Sequence, residues 1–169
     1  EAMTVLEQEG FVRSVPRRGI FVVRKTRQEI LEMITVWAAL ESMAARLACA
    51  RATDAEIRQL RENVRAFADR DPEEFVSEYS EANLAFHKLI IRMSGCDLIA
   101  EMTENLFPHM RGVRNVTIAQ DHRAQRSIVD HNRIVAAIEK RDPDLAERLV
   151  REHTLGLAKH VEEHGEFLD

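Results

Sequence analysis

From Thr26 onward the chain is punctuated by helix-start signals, and apolar residues at helical spacing come after each one. Thr26-Arg27-Gln28-Glu29 and Thr53-Asp54-Ala55-Glu56 are capping boxes, in which hydroxyl and carboxylate each satisfy a backbone N–H that the first turn leaves unpaired. Asp71-Pro72-Glu73-Glu74 and Asp142-Pro143-Asp144 place an N-capping aspartate before a proline at the first helical position. Ile30, Ile34, Trp37, Ala38, Ala45 and Ala48 form one broad apolar stripe behind the first of these signals. The pattern predicts helices over about 26–50, 53–68, 71–94, 122–140 and 142–164, and another from about 97 that Pro108 kinks or breaks. Short connections between six such helices make an all-α fold, a six-helix antiparallel bundle.

Residues 1–27 read differently. Ala2, Val5 and Leu6 share one side of a helical segment that lacks an N-cap signal and stops at Gly10, so the chain is expected to open inside a helix. Residues 11–15 and 20–23 are β-branched and aromatic-rich, and Pro16-Arg17-Arg18-Gly19 between them is turn chemistry. The expected product is a β-hairpin with two arginines at its tip. Charge divides the chain at the same place. Residues 1–27 hold six basic side chains against three acidic ones, and the remainder holds 18 against 26. A small basic end on an acidic body suits polyanion binding, although a solvated basic linker has the same composition.

Polar side chains interrupt the stripes of the body. Asn83 and His87, four residues apart, share a helix face with Phe75, Tyr79, Phe86 and Ile90. His131 falls in the stripe of Ile128, Ile134, Val135 and Ile138, and His153 in that of Leu145, Leu149, Val150 and Leu157. Each buried polar group without a partner costs about 1–3 kcal/mol, so these four either share a metal ion or bond separately to carbonyls and carboxylates of the core. His160 and His164, another i,i+4 pair, are expected to be solvated at a fraying terminus, and His109 and His122 lie near helix ends. Cys49 and Cys96 read as reduced thiols of a cytoplasmic protein. No apolar run approaches the roughly 20 residues that cross a bilayer, and no membrane partner is expected.

These residues carry a resemblance. Leu6-Glu7-Gln8-Glu9-Gly10-Phe11-Val12 followed by Pro16-Arg17-Arg18-Gly19-Ile20-Phe21-Val22 looks like the end of a winged helix-turn-helix of the GntR superfamily of bacterial transcription regulators. The body is similar to the superfamily's FadR-type ligand-binding domain, the FCD domain. Its markers are Leu40-Glu41, Ala44-Ala45-Arg46-Leu47-Ala48, Phe86-His87 before Ser94-Gly95, Asp130-His131, and Glu152-His153. The resemblance implies residues 1–25 as the last part of a DNA-binding domain and 26–166 as an effector- and metal-binding helical domain. It implies Asn83, His87, His131 and His153 as ligands of a divalent transition metal, zinc first, with nickel or manganese as alternatives. Asn83 departs from the aspartate commoner there, and Trp37 stands where many relatives have arginine.

The resemblance further implies a ligand-responsive regulator, a cytoplasmic homodimer that binds operator DNA and a small organic-acid effector. Arg13, Arg17, Arg18 and Gly19 would contact DNA. Arg111, Arg114 and Trp37 are the candidate effector residues, the two arginines for its second anionic group. The competing reading is a metal-dependent hydrolase using the three histidines. Against it, no His-Glu-x-x-His motif occurs, and no glutamate lies one turn from these ligands to act as base. A structural metal without an effector is a third reading.

Overall fold

The computed structural model describes residues 2–8, 10–66, 74–118, 120 and 122–165. Their order is α1 (Ala2–Gln8), β1 (Val12–Val15), β2 (Gly19–Val22), α2 (Arg27–Arg51), α3 (Asp54–Arg65), α4 (Val76–Met93), α5 (Asp97–Glu104), α6 (Phe107–Thr117), α7 (Arg123–Glu139) and α8 (Pro143–His164). Both threonine capping boxes form with both reciprocal hydrogen bonds, and Asp142 accepts from the Leu145 N–H. The expected cap at Asp71-Pro72-Glu73-Glu74 lies outside the described residues, apart from Glu74, as does the end of the second helix near Ala68. Pro108 produces a break rather than a kink. Its ring would clash with the carbonyl of Glu104, four residues back, and α5 ends at that residue, with α6 starting at Phe107.

α2 is the centre of the bundle and packs most extensively on α8. Ala44, Ala45 and Ala48 are fully buried on its core face, and such small side chains let two helices approach closely. Arg46 meets Asp144 and Glu147, and Glu41 meets Thr154, so the two helices run antiparallel. Arg141, in the left-handed region at φ 53°, ends α7 and donates to the carbonyls of Cys49 and Ala52 at the end of α2. That bond satisfies carbonyls that a helix C-terminus leaves open. The expectation of no membrane-length apolar run is corrected by α2, in which an 18-residue window reaches a mean hydropathy of 1.3. By length and composition this helix could cross a bilayer. Half of that window is buried inside the bundle, as in the core helix of a folded domain.

The first segment folds as its residues require. Gly10, at φ 76°, ends α1 with its N–H on the Glu7 carbonyl, and the Phe11 N–H reaches Leu6. This pair of bonds is the Schellman motif. β1 and β2 pair antiparallel with Val12 opposite Val22 and Val15 opposite Gly19. Arg18 N–H closes the turn on the Val15 carbonyl at 3.0 Å. Arg17 as well as Gly19 takes a positive φ, at 65° and 104°. An L-residue held there costs about 1–2 kcal/mol, so one tip arginine is displayed in a strained conformation. The hairpin touches the body where Phe11 stacks on His109 of α6, ring centroids 4.6 Å apart.

Candidate metal centre

α4, α7 and α8 each bring one histidine to a common point. His87, His131 and His153 are all buried, and their candidate ligand atoms lie within 4.8 Å of one another. The local reason is the interrupted stripe: each histidine occupies a position whose helix neighbours face the core, so folding the stripes together collects them. His131 lies flat on Phe86, with centroids 3.8 Å apart and planes 12° from parallel. Asn83 is buried beside them. Its Oδ1 and the His131 Nε2 both lie within 3.5 Å of the hydroxyl of Ser127, a neighbour that the stripe pattern does not single out.

The surroundings bear on what the cluster can hold. His87 Nδ1 is set against Oε1 of Glu41, and both side chains are enclosed. The other oxygen of Glu41 accepts from Trp37 Nε1 at 2.6 Å and from the Thr154 hydroxyl at 3.1 Å. His153 Nδ1 lies 3.2 Å from Oδ2 of Asp130. A carboxylate on Nδ1 places the proton of a neutral imidazole there and leaves Nε2 as a free lone pair, the usual outer-shell arrangement of metal-ligating histidines. Among the described residues His87 Nε2 is buried without a hydrogen-bond partner. His131 and His153 face each other Nε2 to Nε2 at 3.3 Å. That is long for a hydrogen bond. Two imidazoles bound at about 2.0–2.1 Å to one tetrahedral ion stand roughly 3.3–3.4 Å apart, so the donor set fits a metal.

Burial dominates the electrostatics. It holds His87 and His131 well below the ordinary imidazole range, so both stay neutral and able to ligate. His153 is lowered by the same cause, against the opposing pull of Asp130. Burial pushes the Glu41 carboxyl up, opposed first by the charge of Arg114. Arg114 itself is buried, its basicity lowered by that burial, and its guanidinium lies 5.8 Å from the centre of the Trp37 ring.

Several expectations need correcting. As expected, no glutamate lies one turn from these histidines on their own helices, but α2 supplies Glu41 from 46 residues before His87. It is tied by Trp37 and Thr154 behind the imidazole, which holds the ring of His87 in place. Arg111 does not join Arg114: Met110, Val113, Arg114 and Thr117 make the buried face of α6, while Arg111 lies outside and pairs with Glu81 at 2.6 Å. Trp37 is fully buried with its one polar atom committed to Glu41. His160 is not solvated but buried, because the end of α8 brings it to 2.9 Å from Gln120. Arg13, Arg17 and Arg18 are exposed on the hairpin, far in sequence from this centre. Asp130, Ser127 and Glu41 each carry a sequence signal that could have found them: a neighbour or i−4 partner of a histidine, and a marker glutamate.

Comparison with known proteins bears on the fold and the family. The FCD domain family model matches residues 32–156. The HTH-type transcriptional repressor RspR of Escherichia coli K12 is 24% identical over 161 residues, covering 95% of this chain and 71% of RspR. The HTH-type transcriptional regulator YdhC of Bacillus subtilis 168 is 26% identical over 172 residues, covering 98% of this chain and 75% of YdhC. Among solved structures, E. coli McbR/YncC superposes with a TM-score of 0.79 at 18% identity, over 96% of this chain and 78% of that one. Streptococcus agalactiae GntR gives 0.67 at 15%, over 94% and 78%. At these identities the structural likeness is one of fold, while the family match spans most of the bundle. The chain belongs to the FCD domain family, and the relatives it matches are HTH-type transcription regulators.

Proposed function

We propose that this regulator senses a small carboxylate through a divalent transition metal held by His87, His131 and His153, with Asn83 at the edge of the set. Zinc suits three imidazoles, and nickel and manganese are the alternatives. The observation that carries the reading is the pairing of Nδ1 of His87 with Glu41 and of His153 with Asp130, with the Nε2 of His87 unpartnered among the described residues and that of His153 facing His131. The bound ion would act as a Lewis acid that holds a carboxylate oxygen. The chain's own part is to keep the imidazoles neutral, to exclude water through Phe86 and the α2 wall, and to offer Arg114 to the ligand's charge. Ligand contacts to helices of three different segments would bias their packing and so the placement of the hairpin, which meets α6 through Phe11 and His109. In this reading residues 1–25 belong to the DNA-binding part and 26–166 to the sensing domain, the protein is a cytoplasmic homodimer, and Arg13, Arg17, Arg18 and Gly19 approach operator phosphates or the minor groove.

The deciding experiment measures metal content and ligand stabilisation together. Purified full-length protein should hold about one transition-metal ion per chain, and His131→Ala should remove most of it. A panel of organic acids, screened by thermal shift with and without chelator, should contain a binder worth roughly 2.7 kcal/mol at a hundredfold excess over its Kd. That stabilisation should collapse on chelation, and the acid should be recovered unchanged. Protein that stays metal-free after incubation with zinc, nickel and manganese would overturn the reading. For the hairpin, replacing Arg17 and Arg18 by alanine should flatten the salt dependence of DNA binding by up to about two charge units. An unchanged slope would mean that the tip does not touch phosphate.

A further inference from the structure

A cavity of about 330 Å³ opens between α7 and α8, lined by Arg123, Arg126, Ser127, Asp130, His153 and Lys159 among others. Ser127 and His153 also belong to the histidine cluster, so the cavity leads to it from outside. Its carboxylates are already engaged. Asp130 holds His153 at 3.2 Å, and Glu163 lies 3.8 Å from Lys159. Arg123 is not engaged in that way. Among the described residues its Nε is buried without a hydrogen-bond partner, and Nη1 makes only a 3.5 Å bond to the Gly156 carbonyl. Deeper in, Nη1 of Arg114 is also buried without a partner. Arg114 and Arg126 repel Arg123, and burial with that repulsion brings its pKa down to about 10. A folded chain that leaves guanidinium donors enclosed and unpaired loses free energy at each one, unless an oxyanion completes them.

We propose that this cavity is a second anion subsite, so that the effector is a compact dianion with one oxyanion group at the histidine cluster beside Arg114 and the other on Arg123. The assignment rests on the reading of the cluster as a receptor and adds where the ligand's far end sits. The volume is at the lower end of small-molecule pockets, and charged side chains line it. Both features select a short dicarboxylate or similar dianion over an acyl chain or a nucleotide. Arg126 and Lys159 at the rim add attraction for a dianion arriving from solvent.

The test is calorimetric titration of zinc-loaded full-length protein with acetate, malonate, succinate and glutarate as probes. At least one dicarboxylate should bind about tenfold or more tighter than acetate, the return expected for one added charge-assisted pair. Arg123→Gln should abolish that advantage while leaving zinc content and acetate affinity within about twofold of wild type. Arg123→Lys, which keeps the charge and loses the planar fork, should restore part of it. It also carries the test if the glutamine variant does not fold. A dicarboxylate advantage that survives Arg123→Gln, or dicarboxylates no better than acetate in the wild type, would overturn the second subsite alone. Zinc-loaded wild type that binds none of the four acids would overturn the receptor reading with it.

Discussion

His87 and His153 each set a ring nitrogen against a carboxylate, but Glu41 is fully enclosed, whereas the Asp130 side chain is 39% exposed. The same pairing therefore has opposite consequences for the two acids. Burial dominates at Glu41 and pushes its carboxyl up. At Asp130 the hydrogen bond from His153 dominates over burial and holds the carboxyl below its usual range. The α2 wall of the centre is dry and over-determined, with Trp37 and Thr154 fixing the second oxygen of Glu41. The α7–α8 wall is more exposed and borders the cavity of Arg123. One side of the site encloses its histidine, and the other opens onto a cavity.

The largest effect should come from opening the dry wall. Glu41→Ala leaves the Trp37 indole, the Thr154 hydroxyl and His87 without their shared acceptor. The expected loss is on the order of 3–5 kcal/mol in denaturant unfolding of the metal-free protein. Glu41→Gln keeps the shape but weakens acceptance from His87, and zinc affinity, measured by competition with a chelator, should fall by about 10–100-fold. A loss of stability below about 1 kcal/mol in Glu41→Ala would show that the enclosed wall is no more constrained than the open one.

Asp130→Asn comes next. Zinc affinity should fall towards the lower end of the same range, about tenfold. Stability should change by less than about 1 kcal/mol, because water reaches this carboxylate and can replace it. An effect on folding as large as that of Glu41→Ala would erase the distinction between the walls. The smallest change is expected for Asn83→Asp, which puts an anionic oxygen at the edge of the cluster near Ser127. Zinc should bind a few-fold tighter, since a carboxylate replaces a neutral amide among the ligands. The metal-free protein should lose stability at the same time, because the new carboxylate gives up its hydration on burial. Unchanged zinc affinity would place Asn83 outside the ligand set.

Helix starts at Thr26, Thr53 and Asp142, the stop at Gly10 and an interruption at Pro108, as a kink or a break, were all legible because capping and proline sterics act within one turn of chain. The three histidines and Asn83 were legible for a related reason. Each violates an apolar stripe that its own helix displays, and stripes meet in a core. The partners of those histidines were not. Glu41 is a family marker, but it lies on a mostly apolar helix 46 residues from His87, and its helix's own pattern does not say that it meets that histidine.

The same limit explains Arg111, Arg114 and Arg123. One-turn spacing suggested that Arg111 and Arg114 act together, yet α6 buries only the second. Arg123 sits at the start of a helix, where solvation is the ordinary outcome for an arginine. Local signals read what a residue does to its own helix. Which basic and acidic groups end up facing the histidines depends on the rotation and crossing of α2, α6, α7 and α8. That is set by the packing of alanines, tryptophan and phenylalanine across helices far apart in the chain, and so only the tertiary structure decided it.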